Sequence, residues 1–302
     1  MAAQAEPDRA DAVAQVEQAF QAATAANEEV NQLNSDIEAT QAEIAGIDAE
    51  IAEVKATYDE QRAVLGSVIA QQHVDSPLGP TASLLASEDP DAFLEGLSAV
   101  QAFNSTQAEA LDSFAEVADD LAVRQDQLRQ LQASLDADKA EADSKKAEVD
   151  AAFEDAEAKL ASLDAEQRAE FERINPAVEE VMPAAAPSAY SGGAVGFAAA
   201  QHGKAYRAGG TGPDAYDCSG LVWAAYASAG ISIPRTSGAQ YAAGTPISMD
   251  QLQPGDLVFY SNVNQHVAMY IGNGQIAEAA NPAAGTRVTS LYGRFVKAVR
   301  IG

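Results

Sequence analysis

The stretch Asp217-Cys218-Ser219-Gly220-Leu221-Val222-Trp223 holds the only cysteine of the chain. After it, Leu221, Val222, Ala225, Tyr226 and Ala229 recur at helical spacing. Gly230 is placed to end that helix. Cys218 is therefore expected at a helix N-terminus, with Asp217 as N-cap. Unpaired N–H groups and the helix dipole favour negative charge there, which turns a thiol into a thiolate near neutral pH. The competing reading is a buried cysteine that packs as a small hydrophobe.

A thiolate nucleophile needs a base and a group to orient that base. The chain has three histidines, His73, His202 and His266. His266 opens the β-prone run His266–Gly272. Gly272-Asn273-Gly274 follows, then a second run, Gln275–Ala279, and the pair reads as a hairpin. Its register decides what Glu278 does. A two-residue Asn-Gly turn alone pairs Gly272 with Gln275 and puts Glu278 on the face opposite His266. A three-residue turn over Gly272–Gly274 pairs Ile271 with Gln275 and sets Glu278 opposite Ala268. His266 and Glu278 then share a face as diagonal neighbours, about 7–8 Å apart at the backbone. A Cys218–His266–Glu278 triad thus requires the longer turn or a bulge. Otherwise Glu278 is a solvated carboxylate.

Three segments taken together resemble the NlpC/p60 cell-wall cysteine peptidases. They are Asp217-Cys218-Ser219-Gly220, Pro254–Tyr260 and His266–Gly272, in the right order within about residues 191–302. The resemblance implies a compact papain-like α+β domain with Cys218 as nucleophile and His266 as base. Glu278 falls at the family's third polar position. Tyr206, in Lys204–Gly210, matches the tyrosine that helps line the oxyanion site. Ala208 stands where the family often has Trp, which changes the shape of one substrate pocket. Beside the motifs, Asp217, Ser219, Arg207 and Arg235 are candidates for the oxyanion and substrate region. Both arginines suit carboxylates, which a guanidinium binds bidentately, although a solvated role fits each equally well. His202 reads as structural or surface. The Gly-rich Ala208–Pro213 lacks the Gly-Lys-Ser/Thr ending of a phosphate loop and reads as a cleft wall. Five short strands are expected, at 256–260, 266–271, 275–279, 286–291 and 296–301, forming a small antiparallel sheet.

Charge divides the chain. Residues 191–302 carry a net +2, whereas residues 1–190 carry the remaining −29 of the total −27. So acidic a half argues against nucleic acid or an anionic membrane as its partner. No run of about 18 apolar residues marks a membrane span, and no signal peptide is visible. The start, Met1–Pro7, reads as a mature N-terminus with an added Met, and the resemblance implies export to the cell wall or a periplasm-like space. A lone cysteine gives no internal disulfide, and in an exported protein it favours a thiol that is used.

From about residue 10 to 70, Val16, Ala23, Val30, Ile37, Ile44, Ile51, Tyr58 and Leu65 fall every seven residues, with a second set three later. That is a coiled-coil seam. A second seam runs from about 97 to 174. It weakens at Asp138–Glu148 and shifts phase between Val149 and Phe153, which resembles a stutter. Two prolines and a glycine break the helix at Ser76–Pro80. The fold expected is an all-α antiparallel coiled-coil hairpin over 8–175 with its tip at 71–96, a Pro/Ala-rich linker at 176–193, and the α+β domain over 194–302.

His73 has no second metal-type residue near it, and no metal or cofactor is expected. The resemblance implies a peptidoglycan endopeptidase acting on stem peptides, between D-isoglutamate and diaminopimelate. The layout is similar to Rip-type actinobacterial division hydrolases controlled by the FtsE–FtsX transporter. That likeness implies an FtsX-type membrane partner at the tip, through Leu84, Leu85, Phe93 and Leu94. These side chains equally suit a plug for the end of the bundle. The long acidic arm is expected to restrain the enzyme. An amidase or acyltransferase on the same fold, and a catalytically silent adaptor, remain as alternatives.

Overall fold

The computed structural model describes residues 5–75, 90–174, 193–260 and 262–302. The expected linker at 176–193 lies almost wholly outside them. So do Leu84 and Leu85, and the side chains of Phe93 and Leu94 are likewise not described. The chain divides into two compact units, one of residues 1–37 and 138–302 and one of residues 38–137.

The heptad seams become three helices, α1 (Ala5–Asp75), α2 (Pro90–Ser162) and α3 (Ala165–Ile174). Within the 38–137 unit the first two run antiparallel. Glu50, Tyr58 and Gln61 meet Arg124, Phe114 and Ser113 in turn, so one number rises as the other falls. Tyr58 stacks on Phe114 with ring centroids 4.8 Å apart. The expected phase shift is visible in the burial of α2, where Lys145, Val149 and Phe153 follow at intervals of four. The seam does not lapse at 138–148, because Ala142 is buried there and Lys145 half-buried.

The second seam is not one helix to Ile174. It breaks at Leu163–Asp164, where the Asp164 carboxylate accepts hydrogen bonds from the Glu166 and Gln167 N–H groups at 2.9 and 2.8 Å. Gln167 Oε1 in turn accepts from the Asp164 N–H at 2.9 Å. Reciprocal capping of this kind starts a new helix.

In the other unit, α4 (Ala194–Ala200), α5 (Cys218–Ser228) and α6 (Ser237–Ala243) accompany eight short strands. β1 (Ala205–Tyr206) and β2 (Ala215–Tyr216) make a two-residue parallel pair. The others are β3 (Thr245–Ile247), β4 (Leu257–Phe259), β5 (Val267–Gly272), β6 (Gln275–Ala279), β7 (Thr286–Ser290) and β8 (Lys297–Arg300). They form one antiparallel sheet in the order β3-β8-β4-β5-β6-β7. Five of these were expected. β3 was not, being three residues long with Pro246 in its middle, a composition tolerated at a sheet edge.

Alternation along the strands gives the sheet two packed faces. Leu257, Phe259, Val267, Met269 and Ala277 pack with Val195, Val222 and Tyr226 of α4 and α5. Val258, Ala268 and Ile276 pack with Phe295. A third cluster joins the helical base to the domain. Val16, Phe20, Ala23, Val149, Phe153 and Phe171 pack with Tyr206, Tyr216, Leu221 and Ala279.

The β5–β6 hairpin takes the bulge rather than the longer turn, the two arrangements that the triad allows. Asn273 and Gly274 both have positive φ, 54° and 72°, which suits a two-residue type I′ turn. Gly272 pairs with Gln275, and Ile271 does not. The register then shifts between Tyr270 and Gly272, so Tyr270 pairs with Ile276 and Met269 with Ala277. Ile271 is the extra residue of a β-bulge. The bulge sets Glu278 opposite Ala268, as the longer turn would have done.

Candidate active site

Asp217 stops the chain entering α5 and caps it, with Oδ1 accepting from the Gly220 N–H at 2.6 Å. Its own N–H donates to the Gly210 carbonyl at 2.9 Å. That loop lies so close that a Cβ at Gly220 would collide with the Gly210 carbonyl. Cys218 is the first residue of α5 and is wholly buried. A backbone hydrogen bond from Val267 reaches its sulfur, which ties the thiol to the start of β5, next to His266.

His266 is 3% exposed. Its ring lies against Tyr260 and Phe295, with centroids 5.0 and 5.7 Å away. Its Nε2 and Glu278 Oε2 are 2.7 Å apart. Glu278 is wholly buried and also accepts from Arg287 Nε at 2.8 Å and Tyr292 OH at 3.1 Å. Burial alone would raise the Glu278 carboxyl. The Arg287 charge and the His266 bond outweigh it and hold the carboxyl down at about 2. Glu278 is thus a fixed anion, and the imidazole it orients has Nδ1 left for another partner.

Tyr206 is buried, its ring 5.4 Å from Phe153. Its hydroxyl lies beside Thr24 of α1, which hydrogen-bonds to it. Burial raises that hydroxyl's pKa, and the charges of Cys218, Asp217 and Glu28 add to the rise. Arg235 is committed within the site, its Nη2 2.7 Å from Asp217 Oδ2 and its Nη1 donating to Ser219 Oγ at 2.7 Å. Arg207 is exposed, and among the described residues its side chain bonds to no member of this cluster. His202 accepts from the Val288 N–H at 3.2 Å. The structure therefore brings together Cys218, His266, Glu278, Tyr206, Asp217, Ser219 and Arg235, and leaves Arg207 out.

One residue of the cluster escaped the sequence reading. Glu28 of α1 is 4% exposed and reaches the thiol. Its Oε1 accepts from Cys218 Sγ at 3.4 Å and Ser219 Oγ at 2.7 Å. Its Oε2 accepts from the Ser237 N–H at 2.7 Å and Ser237 Oγ at 2.9 Å. Beside it, Asn27 and Asn31 donate to Asp217 Oδ2 at 3.2 and 3.0 Å. The heptad puts these positions on the outer face of α1. A signal was present: Thr24, Asn27 and Asn31 are poor helix formers that recur on one stripe where a solvated coiled coil carries Glu, Lys and Gln.

Electrostatically, this corrects the expected thiolate. Burial pushes the Cys218 thiol well up, and the Glu28 and Asp217 carboxyls push it further. Burial, then Asp217, likewise raises Glu28 above its ordinary value. In this arrangement the site holds a protonated thiol. Among the described residues no group of three His, Cys, Asp or Glu is set to hold a metal ion. No described helix is long and apolar enough to cross a membrane.

A profile of the NlpC/P60 family matches residues 203–302. Over 93 residues the chain is 50% identical to the "Probable endopeptidase p60" of Listeria monocytogenes, covering 30% of this chain and 19% of that protein. It is 46% identical over 118 residues to a "Probable endopeptidase" of Corynebacterium glutamicum, covering 38% of this chain and 56% of that one. Among solved structures, the peptidoglycan hydrolase RipB of Mycobacterium tuberculosis aligns at 35% identity with a TM-score of 0.33, over 38% of this chain and 68% of that chain. The chain thus spans about a fifth of the Listeria relative's length and just over half of the corynebacterial one's.

Proposed function

We propose that this chain, which belongs to the NlpC/P60 family through residues 203–302, is a cysteine endopeptidase of peptidoglycan stem peptides, held shut by its own first helix. The observation that carries the chemistry is the buried 2.7 Å pair of His266 and Glu278, on the strand whose first N–H bonds to the Cys218 sulfur. In the open enzyme His266 takes the thiol proton through Nδ1, and Cys218 Sγ attacks the amide carbonyl. The oxyanion is met by the Cys218 backbone N–H and the Tyr206 hydroxyl, a buried group that α1 covers through Thr24. His266 then protonates the leaving amine and activates the water that releases the acyl group. Glu278, fixed by Arg287 and Tyr292, holds the imidazole tautomer throughout. The relatives named as endopeptidases support this reading, and the family resemblance gives the bond as D-isoglutamyl–diaminopimelate.

Restraint is supported by the wholly buried thiol and by Glu28, which accepts from it. With Glu28 on the sulfur, no carbonyl reaches the nucleophile and the thiol stays protonated. Release by an FtsX-type membrane partner at residues 71–96 is proposed on the resemblance alone. Leu84→Glu with Leu85→Glu is expected to abolish binding to such a partner's extracellular domain in titration calorimetry. Undiminished affinity in a folded double variant removes the tip from the account.

The chemistry is tested by digesting muropeptides of known structure and identifying the products by mass. Cys218→Ala and His266→Ala are expected to abolish cleavage of the D-isoglutamyl bond. Glu278→Ala is expected to retain more activity than either, because it only orients the base. Products from a different bond point to an amidase or transferase instead, and full activity in Cys218→Ala overturns the mechanism.

A further inference from the structure

Three arginines stand around His266 and Cys218, and they differ in what neutralises them. Arg287 pairs with Glu278 and Arg235 with Asp217, both carboxylates of the same domain. Arg294 pairs with Glu17, which belongs to α1. Glu17 and Glu28 are eleven residues apart, about three helical turns, so both point from one face of α1. One carboxylate lies on the nucleophile and the other on Arg294. The covering helix therefore presents anions at two separate points of the cleft.

The surroundings of Arg294 are built for a polar ligand. It lies within hydrogen-bonding reach of the Tyr260 hydroxyl, and Tyr260 shares a 2.9 Å hydrogen bond with Tyr292. A cleft of about 410 Å³ opens here, lined by Glu17, Gln21, Tyr260, Gln265, Arg294 and Val296. A smaller gap with several of the same walls reaches His266. Arg294 is 38% exposed and Glu17 12% exposed, so the pair sits at the cleft mouth rather than in a core.

We infer that Arg294, with Tyr260 and Gln265, forms a carboxylate-binding subsite on the leaving-amine side of the scissile bond, which Glu17 occupies by mimicry while α1 is docked. The inference rests on the peptidase reading. The side follows from chemistry: His266 delivers its proton to the leaving amine, and this subsite adjoins His266, whereas Glu28, Ser219 and Ser237 lie at the other end, past Cys218. When α1 leaves, Arg294 loses its carboxylate, and among the described residues no other carboxylate is paired with it. A guanidinium placed so favours a substrate whose residue after the scissile bond carries a free carboxylate over its carboxamide.

The test uses isolated residues 191–302, which lack α1 and whose two sheet-face clusters draw on none of it, with and without Arg294→Gln. Two stem peptides serve as substrates, identical except for a carboxylate or a carboxamide on the residue after the cleaved bond. The readout is the ratio of their kcat/KM values, which a mere latching role of Arg294 does not move. With Arg294 present the carboxylate peptide is expected to be preferred about fivefold, a modest factor because the guanidinium is partly solvated. With Arg294→Gln the ratio falls to near one, while cleavage of the carboxamide peptide persists. An equal ratio in the two chains overturns the subsite and leaves the peptidase standing. Cleavage of neither peptide by the chain that retains Arg294 and Cys218 overturns the peptidase reading and the subsite with it.

Discussion

Glu278 is the residue on which the domain's chemistry and its stability meet. Its carboxyl is held at about 2 against an ordinary 4.5 because Arg287 and His266 outweigh its burial. A depressed carboxylate contributes stability that is fully present above its unfolded pKa and is lost as pH falls through the folded one. The window here runs from 4.5 down to about 2, and the shift corresponds to about 3 kcal/mol. Thermal midpoints measured across that window are expected to fall steeply in the natural chain and less so in Glu278→Gln, which starts lower because Arg287 is left buried without its anion. Parallel pH curves for the two chains contradict this assignment. At this scale the sequence was informative. Cys218, His266 and Glu278 were all legible as candidates, and the face that Glu278 takes was decided by a bulge at Ile271 that no local pattern announced.

At the scale of elements, α1 carries two unlike faces. Val16, Ala23 and Val30 make the coiled-coil seam that heptad spacing reveals, while Thr24, Asn27, Glu28 and Asn31 pack on the catalytic domain. Periodicity finds the first face because it is apolar. It cannot find the second, whose partners lie about 190 residues away in sequence and are themselves polar. Docking of this face is expected to depend on pH. Glu28 faces Asp217 and the Cys218 thiol, with Arg235 and Tyr206 close by, and in the docked arrangement burial and then the neighbouring carboxyls raise both Glu28 and Cys218. A raised group favours the docked state most below its free pKa and loses that favour as pH rises through the docked value. Docking therefore weakens above the ordinary Glu value of 4.5, and again once a freed thiol ionises. Alkylation of Cys218 in the full chain is expected to accelerate with pH more steeply than thiol ionisation alone explains. In Glu28→Gln, which keeps most of the hydrogen bonds but cannot ionise, the excess disappears. Identical pH profiles in the two chains leave Glu28 with no such role.

For the molecule as a whole, two parts of unlike composition share one chain. The helical part is strongly acidic and the catalytic part slightly basic, and the base of the helical part joins the catalytic domain through a common apolar cluster. The clusters on the two faces of the sheet lie within residues 194–302 and draw on neither α1 nor α2, although Ala279 of β6 joins the cluster shared with the helices. The domain is thus expected to keep these clusters when the helices are removed and to lose the Glu28 carboxylate that accepts from the Cys218 thiol. The most direct measurement is hydrolysis of a stem peptide by the full chain and by isolated residues 191–302, at equal concentration, with products identified by mass. Isolated residues 191–302 are expected to cleave at least tenfold faster, because undocking a buried carboxylate with four hydrogen-bond donors costs about 1–3 kcal/mol. Equal rates from the two proteins, or no cleavage by either, contradict a peptidase held shut by its own first helix.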